Sequence, residues 1–353
     1  MFIASVCGSL PEHFYDQDAL ISGFLKHWRE AHHNADRLVR LHQAVAVSGR
    51  HLALPMDQYP NLTFGEANDA FIRVGTQIGA QAIRGALESV RLSPQDVDVI
   101  FTTTVTGIAT PSLDARLINV LGFRPDVKRV PMFGLGCVAG AAGTARLADY
   151  LKGHPDQVGV LLSVELCSLT IQRGDFSVAN LIASGLFGDG AAALVGVGTE
   201  RAQTLKLRGP RVVASQSRFY PNTERVMGWD IGDTGFQVVL DASVPDVVKT
   251  HIRPDAVAFL ARQNLTLNDI NTWVAHPGGP KVLTAFEESL ELPEGALSVT
   301  WNSLNQVGNL SSASVLFVLR DTLNAPNKEP GDFGLMMAMG PGFCSEFVLL
   351  KWD

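Results

Sequence analysis

Three residues combine reactive or polar chemistry with a constrained local backbone: Cys137, His276 and Asn309. Cys137 lies in Phe133-Gly134-Leu135-Gly136-Cys137-Val138-Ala139-Gly140, a lone thiol among glycines, followed by an amphipathic run from Thr144 to Leu151. The glycines allow a tight strand-to-helix turn. A thiol at a helix N-terminus is favoured as the thiolate, the form that attacks electrophiles. Taken alone, the same residue also reads as a small buried side chain in a Gly/Ala-packed helix. His276 opens His276-Pro277-Gly278-Gly279-Pro280 directly after an apolar strand. Its imidazole therefore sits on a rigid turn at a strand end, a usual place for chemistry in α/β proteins. Asn309 lies in Gly308-Asn309-Leu310-Ser311-Ser312-Ala313-Ser314, where a helix cap is the plain explanation.

The rest of the chain can bury such groups. Its 353 residues exceed one average domain, with 46% hydrophobic and 18% charged residues, which fits a large globular protein and excludes a disordered one. A formal net charge of −7 argues against a nucleic-acid surface as the main function. Cys7, Cys137, Cys167 and Cys344 are scattered without a CxxC pair, so neither a disulfide scaffold nor a zinc site is expected, and no metal. No run of about 18 apolar residues is present, hence no transmembrane helix, and the N-terminus lacks a signal-peptide pattern. The expected location is cytoplasmic.

Apolar strands alternate with helices. Ala67 to Val90 reads as a helix, Val97–Thr104 and Val158–Val164 as buried strands, and Leu113 to Leu121 as a helix. This indicates an α/β layered protein with sheets covered on both faces. The pattern then repeats. Leu92–Phe101 matches Leu265–Val274, Gly136-Cys137 matches Gly308-Asn309, and Gln157–Leu162 matches Asp332–Met337, at an offset near 172 to 175 residues. Three matches in order indicate a duplicated unit, with halves at 1–208 and 209–353. On this register Cys137 and Asn309 occupy equivalent helix entries.

Together, Cys137 in Gly-Cys-Val-Ala-Gly, Phe187 in Leu186-Phe187-Gly188-Asp189-Gly190, the His276 turn, the Asn309 loop and Gly340-Pro341-Gly342-Phe343 resemble the type III polyketide synthases. These are the chalcone-synthase-like group of the thiolase superfamily, and the resemblance covers nearly the whole chain. It implies a duplicated αβαβα five-layer fold. It also implies a Cys137 nucleophile kept ionised by His276, with His276 and Asn309 stabilising the enolate formed when malonyl-CoA loses CO2. Phe187 and Phe236 match the gatekeeping phenylalanines. Thr110 matches a loop reaching into the partner's cavity in a homodimer, and Gly340, Pro341 and Gly342 match the closing loop of the substrate site. Arg37 and Arg40, three apart on one helix face, match the CoA-phosphate positions; a third basic position is Ala44 here, with Lys281 a candidate to compensate. Acyl-CoA and malonyl-CoA are the implied partners, with no cofactor beyond these thioester substrates.

A ketoacyl-ACP synthase III-like enzyme is disfavoured by Pro277-Gly278-Gly279 after the histidine and by the Gly-Pro-Gly-Phe loop. A hydroxymethylglutaryl-CoA synthase would need a catalytic glutamate with no evident position, and an inactive scaffold would need a lost triad residue. For the product, Met227–Phe236 and the ending Phe347–Trp352 look like bacterial alkylpyrone and alkylresorcinol synthases. They favour a long-chain fatty acyl starter. Tetrahydroxynaphthalene synthases, which use malonyl-CoA alone, are the alternative: Val105, where they often carry cysteine, counts against them, while Cys167 keeps the idea open.

Overall fold

The computed structural model describes residues 1–28, 35–326 and 328–353. Nine strands form one continuous sheet whose two parts repeat a single plan. In the N-terminal part, Phe2–Ser9 pairs antiparallel with Asp189–Val197, which pairs antiparallel with Val158–Leu166. That strand continues in parallel to Val99–Thr104. In the C-terminal part, Pro210–Phe219, Cys344–Trp352, Phe333–Gly340 and Ile270–Ala275 follow in the same sense: antiparallel, antiparallel, parallel. A single residue pair, Phe2 with Arg211, joins the two parts. Lys128–Phe133 adds a parallel edge strand beyond Val99–Thr104, and the C-terminal part has no counterpart to it among the described residues.

The duplication extends to local chemistry. Ahead of the equivalent strands, the Ser93 N–H donates to the Asp96 carboxylate at 2.9 Å and the Thr266 N–H to Asp269 at 2.7 Å. Both halves thus start the strand from the same side-chain-closed turn.

Continuous burial along Val158–Leu166 and Asp189–Val197 shows that helices cover both faces. The long helix Phe64–Ser89 packs its Ala70, Phe71, Val74, Ile78 and Ile83 on the outside of the N-terminal part. Val244–Ala261 and Pro280–Leu290 do the same for the C-terminal part. Between them lie Ala139–Gly153 and Ser314–Asn324, whose Ala141, Ala145, Leu147, Val315, Leu316 and Phe317 share one core. This is the five-layer αβαβα arrangement of thiolase-like proteins.

The two central helices approach closely because Gly140 has no side chain. A Cβ there would collide with the Ser312 carbonyl oxygen and lie 2.6 Å from Val315 Cγ1. Gly140→Ala is therefore expected to destabilise the fold by about 1–3 kcal/mol through overpacking. Urea unfolding checks this, and an unchanged midpoint would show that the central layer yields.

Candidate active site

Cys137 sits in a one-turn 3-10 segment, Gly136–Val138, that runs straight into the Ala139–Gly153 helix. Gly136 adopts φ +56, a left-handed conformation that glycine reaches without strain, and a Cβ there would lie 2.7 Å from Pro341 Cδ. A Cβ on Gly340 would lie 2.6 Å from the Val138 backbone nitrogen. The Gly340-Pro341-Gly342 loop thus backs the nucleophile turn, which accounts physically for its small residues.

The twin segment is Ser311–Ala313 followed by Ser314–Asn324, and Ser311 has φ +48 where Gly136 has +56. Leu135 therefore corresponds to Leu310, and Cys137 to Ser312. The expected equivalence of Cys137 with Asn309 is off by three residues, because the sequence match follows side-chain periodicity one helical turn out of register. Asn309 instead ends an isolated parallel bridge to Phe187. Its N–H donates to the Leu186 carbonyl at 2.9 Å, and its carbonyl accepts from the Gly188 N–H at 2.9 Å.

That anchorage aims the carboxamide. Asn309 Oδ1 accepts from the Ser311 N–H at 2.8 Å and from Ser314 Oγ at 3.4 Å, so Nδ2 remains as the outward donor. It donates to the Gly278 carbonyl at 3.5 Å, too long to hold it firmly, and also faces the Cys137 thiol. Gly278 belongs to the His276 turn and closes it by donating to the His276 carbonyl at 2.9 Å. The two expected oxyanion donors thus meet through one turn. His276 is buried and held by its N–H to the Met337 carbonyl at 2.9 Å, yet neither ring nitrogen has a hydrogen-bond partner among the described residues. Such an orphaned buried donor is costly unless it serves a bound group.

Desolvation of the site acts against the thiolate expected from the sequence. Burial pushes the Cys137 thiol up to about 12 and outweighs hydrogen bonds from Ser311 and Asn309; the charge of Glu165 pushes the same way. Ser311 Oγ lies 3.7 Å from the sulfur. Burial also drives His276 down to about 3. Both shifts act in the direction of the neutral thiol and the neutral imidazole.

Glu165 is a site residue that motif spacing does not reveal. It is fully buried, accepts from the Val105 N–H at 3.1 Å, from Thr106 Oγ1 at 2.9 Å and from Ser312 Oγ, and is pushed up to about 7 by burial. Its one sequence signal is an acidic residue inside the otherwise uncharged strand Val158–Leu166.

The remaining expected residues distribute around this centre. Phe187 caps the helix Val178–Leu186 and stays partly exposed. Phe236, in the hairpin Met227–Gly232/Gly235–Leu240, is buried edge-on against Phe64 at 5.7 Å and Trp229 at 6.2 Å. A cavity of about 570 Å³ has walls that include Arg50, Tyr59, Phe64, Ser168 and Gln172, and none of Phe187, Phe236, Cys137, His276 or Asn309. Gln172 Nε2 donates to the Phe236 carbonyl at 3.0 Å, so the cavity borders the gate without containing the triad. Arg37 and Arg40 are both exposed on Ala35–Gln43, while Leu38 and His42 of that helix are buried. Ala44 and Lys281 are also exposed. Thr110 is exposed in the loop after Val99–Thr104, outside this chain's own site.

Alkylation of Cys137 should accelerate about tenfold per pH unit from pH 7 upward, since only the thiolate reacts. Glu165→Gln removes a negative charge that disfavours the thiolate, so alkylation above pH 7 should rise about two- to tenfold. Iodoacetamide kinetics followed by mass spectrometry check both; a rate already on its plateau at pH 7 would mean a preformed thiolate.

Comparison with known proteins agrees over the full length. The family model for the N-terminal domain of chalcone and stilbene synthases matches residues 1–200, and that for the C-terminal domain matches residues 211–352. A 1,3,6,8-tetrahydroxynaphthalene synthase from Streptomyces peucetius subsp. caesius is 52% identical, covering 99% of this chain and 93% of the relative. A putative chalcone synthase from Bacillus subtilis is 36% identical over 100% and 99% of the two chains. The crystal structure of 1,3,6,8-tetrahydroxynaphthalene synthase from Streptomyces coelicolor A3(2) superposes with a TM-score of 0.93 at 29% identity, covering 100% and 99%. With nucleophile turn, histidine turn and asparagine bridge assembled on this fold, the chain belongs to the chalcone and stilbene synthase family and is a type III polyketide synthase, an acyltransferase working by decarboxylative condensation.

Proposed function

We propose that this enzyme uses malonyl-CoA as both starter and extender and builds a tetrahydroxynaphthalene. The observation that carries the product is the 52% identity, across 99% of the chain, to a tetrahydroxynaphthalene synthase. This supports the malonyl-primed alternative better than the long-chain alkylpyrone reading preferred from the sequence. One segment behind that preference, the ending within Cys344–Trp352, is a buried strand between two others, so its residue pattern reports sheet packing and not starter choice.

The chemistry follows from the geometry. The Cys137 thiol attacks the CoA thioester as its proton passes to the His276 imidazole, and CoA leaves as its thiol. A second malonyl thioester then loses CO2, and the electron pair of the broken C–C bond becomes an enolate. Its oxygen takes hydrogen bonds from Asn309 Nδ2 and from His276. The enolate carbon attacks the acyl–Cys137 carbonyl and expels the sulfur. A naphthalene skeleton has ten carbons and each decarboxylated malonyl unit supplies two, so five units are used. Phe187 and Phe236 gate the passage, and Arg37 and Arg40 bind the CoA phosphates at the cytoplasmic enzyme's surface. No further cofactor takes part.

A homodimer completes the proposal. Lys128–Phe133 pairs with Val99–Thr104 on one side only, and its other edge is open among the described residues. Its Phe133 and the nearby Ile108 and Val120 are exposed, and Thr110 lies on the loop after Val99–Thr104. Such an edge invites pairing with a second copy, which would carry Thr110 toward the partner's cavity.

Incubation with malonyl-CoA alone should release CO2 and yield tetrahydroxynaphthalene by mass spectrometry; turnover only with added C2 to C20 acyl-CoA starters would reject the malonyl-primed reading. His276→Ala or Asn309→Ala should slow malonyl-CoA decarboxylation about 10²–10³-fold, measured as CO2 release. Phe133→Glu should convert a sedimenting dimer into a monomer, and a wild type already monomeric at micromolar concentration would remove the dimer.

A further inference from the structure

Arg50 lies on the short strand Gly49–Leu52 and is 1% exposed. A buried cation normally finds a carboxylate, but this one has no ion pair among the described residues. Its Nε and Nη2 have no hydrogen-bond partner, and Nη1 makes one bond, to the Phe187 carbonyl at 2.7 Å. Asp189 is the nearest influence of opposite charge, yet its carboxylate is engaged by the Ala53 N–H at 2.6 Å and the Ser168 N–H at 2.8 Å. Besides lining the cavity of about 570 Å³, the arginine makes one hydrogen bond among the described residues, to the Phe187 carbonyl.

That bond falls at a specific point. The bridge between Phe187 and Asn309 uses the Leu186 carbonyl and the Gly188 N–H. The intervening Phe187 carbonyl therefore points the other way, where Arg50 takes it. The arginine stem also touches both sides of the bridge. A Cβ on Gly308 would lie 3.2 Å from Arg50 Cγ and Cδ, and one on Gly188 would lie 3.6 Å from Arg50 Cβ.

We propose that Arg50 is a positioning residue for decarboxylation: by tying down the Phe187 carbonyl it clamps the bridge that holds the Asn309 backbone, and so fixes the aim of Asn309 Nδ2. This rests on the proposed enolate-stabilising role of Asn309. Arg50 touches no reacting atom and acts through Asn309 alone.

A double-mutant cycle tests it. Arg50→Met should lower malonyl-CoA decarboxylation about 10- to 100-fold, while the rate of Cys137 alkylation by iodoacetamide changes less than about twofold. In an Asn309→Ala background the same substitution should cost less than about twofold more, because the group it positions is gone. Arg50→Lys, which keeps the charge and one donor, should restore decarboxylation to within about fivefold of wild type. Equal losses from Arg50→Met in both backgrounds, a parallel fall in alkylation rate, or a lysine variant as slow as the methionine one would each overturn the inference. A wild type that released no CO2 from malonyl-CoA would overturn the proposed function and this inference with it; an active wild type with additive losses would overturn this inference alone.

Discussion

The site depends on one backbone bridge between the halves. At Phe187 and Asn309 the end of an N-terminal helix and the entry to a C-terminal helix share two hydrogen bonds of 2.9 Å. Through them Phe187 and Asn309, the proposed gate residue and enolate donor, are tied together. Loop residues elsewhere could drift by an ångström, but oxyanion stabilisation needs donors aimed before charge develops. Two backbone bonds, a carboxamide oxygen held by the Ser311 N–H and a turn shared with His276 supply that aim.

Burial sets the chemistry around the bridge. Cys137, His276, Glu165 and Arg50 all lie out of water, and each is shifted toward its neutral form. Burial pushes the thiol up and the imidazole down. In the proposed mechanism these shifts make proton transfer from sulfur to imidazole part of the loading step.

Much of this architecture is legible in the residue pattern. Glycines around Cys137, the Pro-Gly turn after His276 and the strand patterns fall where backbone geometry leaves few choices. Three segment matches reveal the duplication, and the strand pairing of the two parts repeats the same order and sense. Periodicity misplaces the register at the helix entries, because Leu and Asp residues one helical turn apart lie on nearly the same face. Only the paired positive φ values of Gly136 and Ser311 reveal that Ser312 is the counterpart of Cys137.

What the sequence determines by itself is therefore local and periodic: which turns are tight, which strands are buried, which residues are nucleophile and donor candidates, and that the unit is doubled. The tertiary structure decides the burial of the titratable groups, the hydrogen bonds that hold Asn309 and the contact of Arg50 with the Phe187 carbonyl. These depend on water exclusion and on contacts between segments far apart in the chain, such as Arg50 with Phe187 and Glu165 with Ser312. A sequence window carries the identity of a side chain, but desolvation and hydrogen-bond direction are set by what folds on top of it.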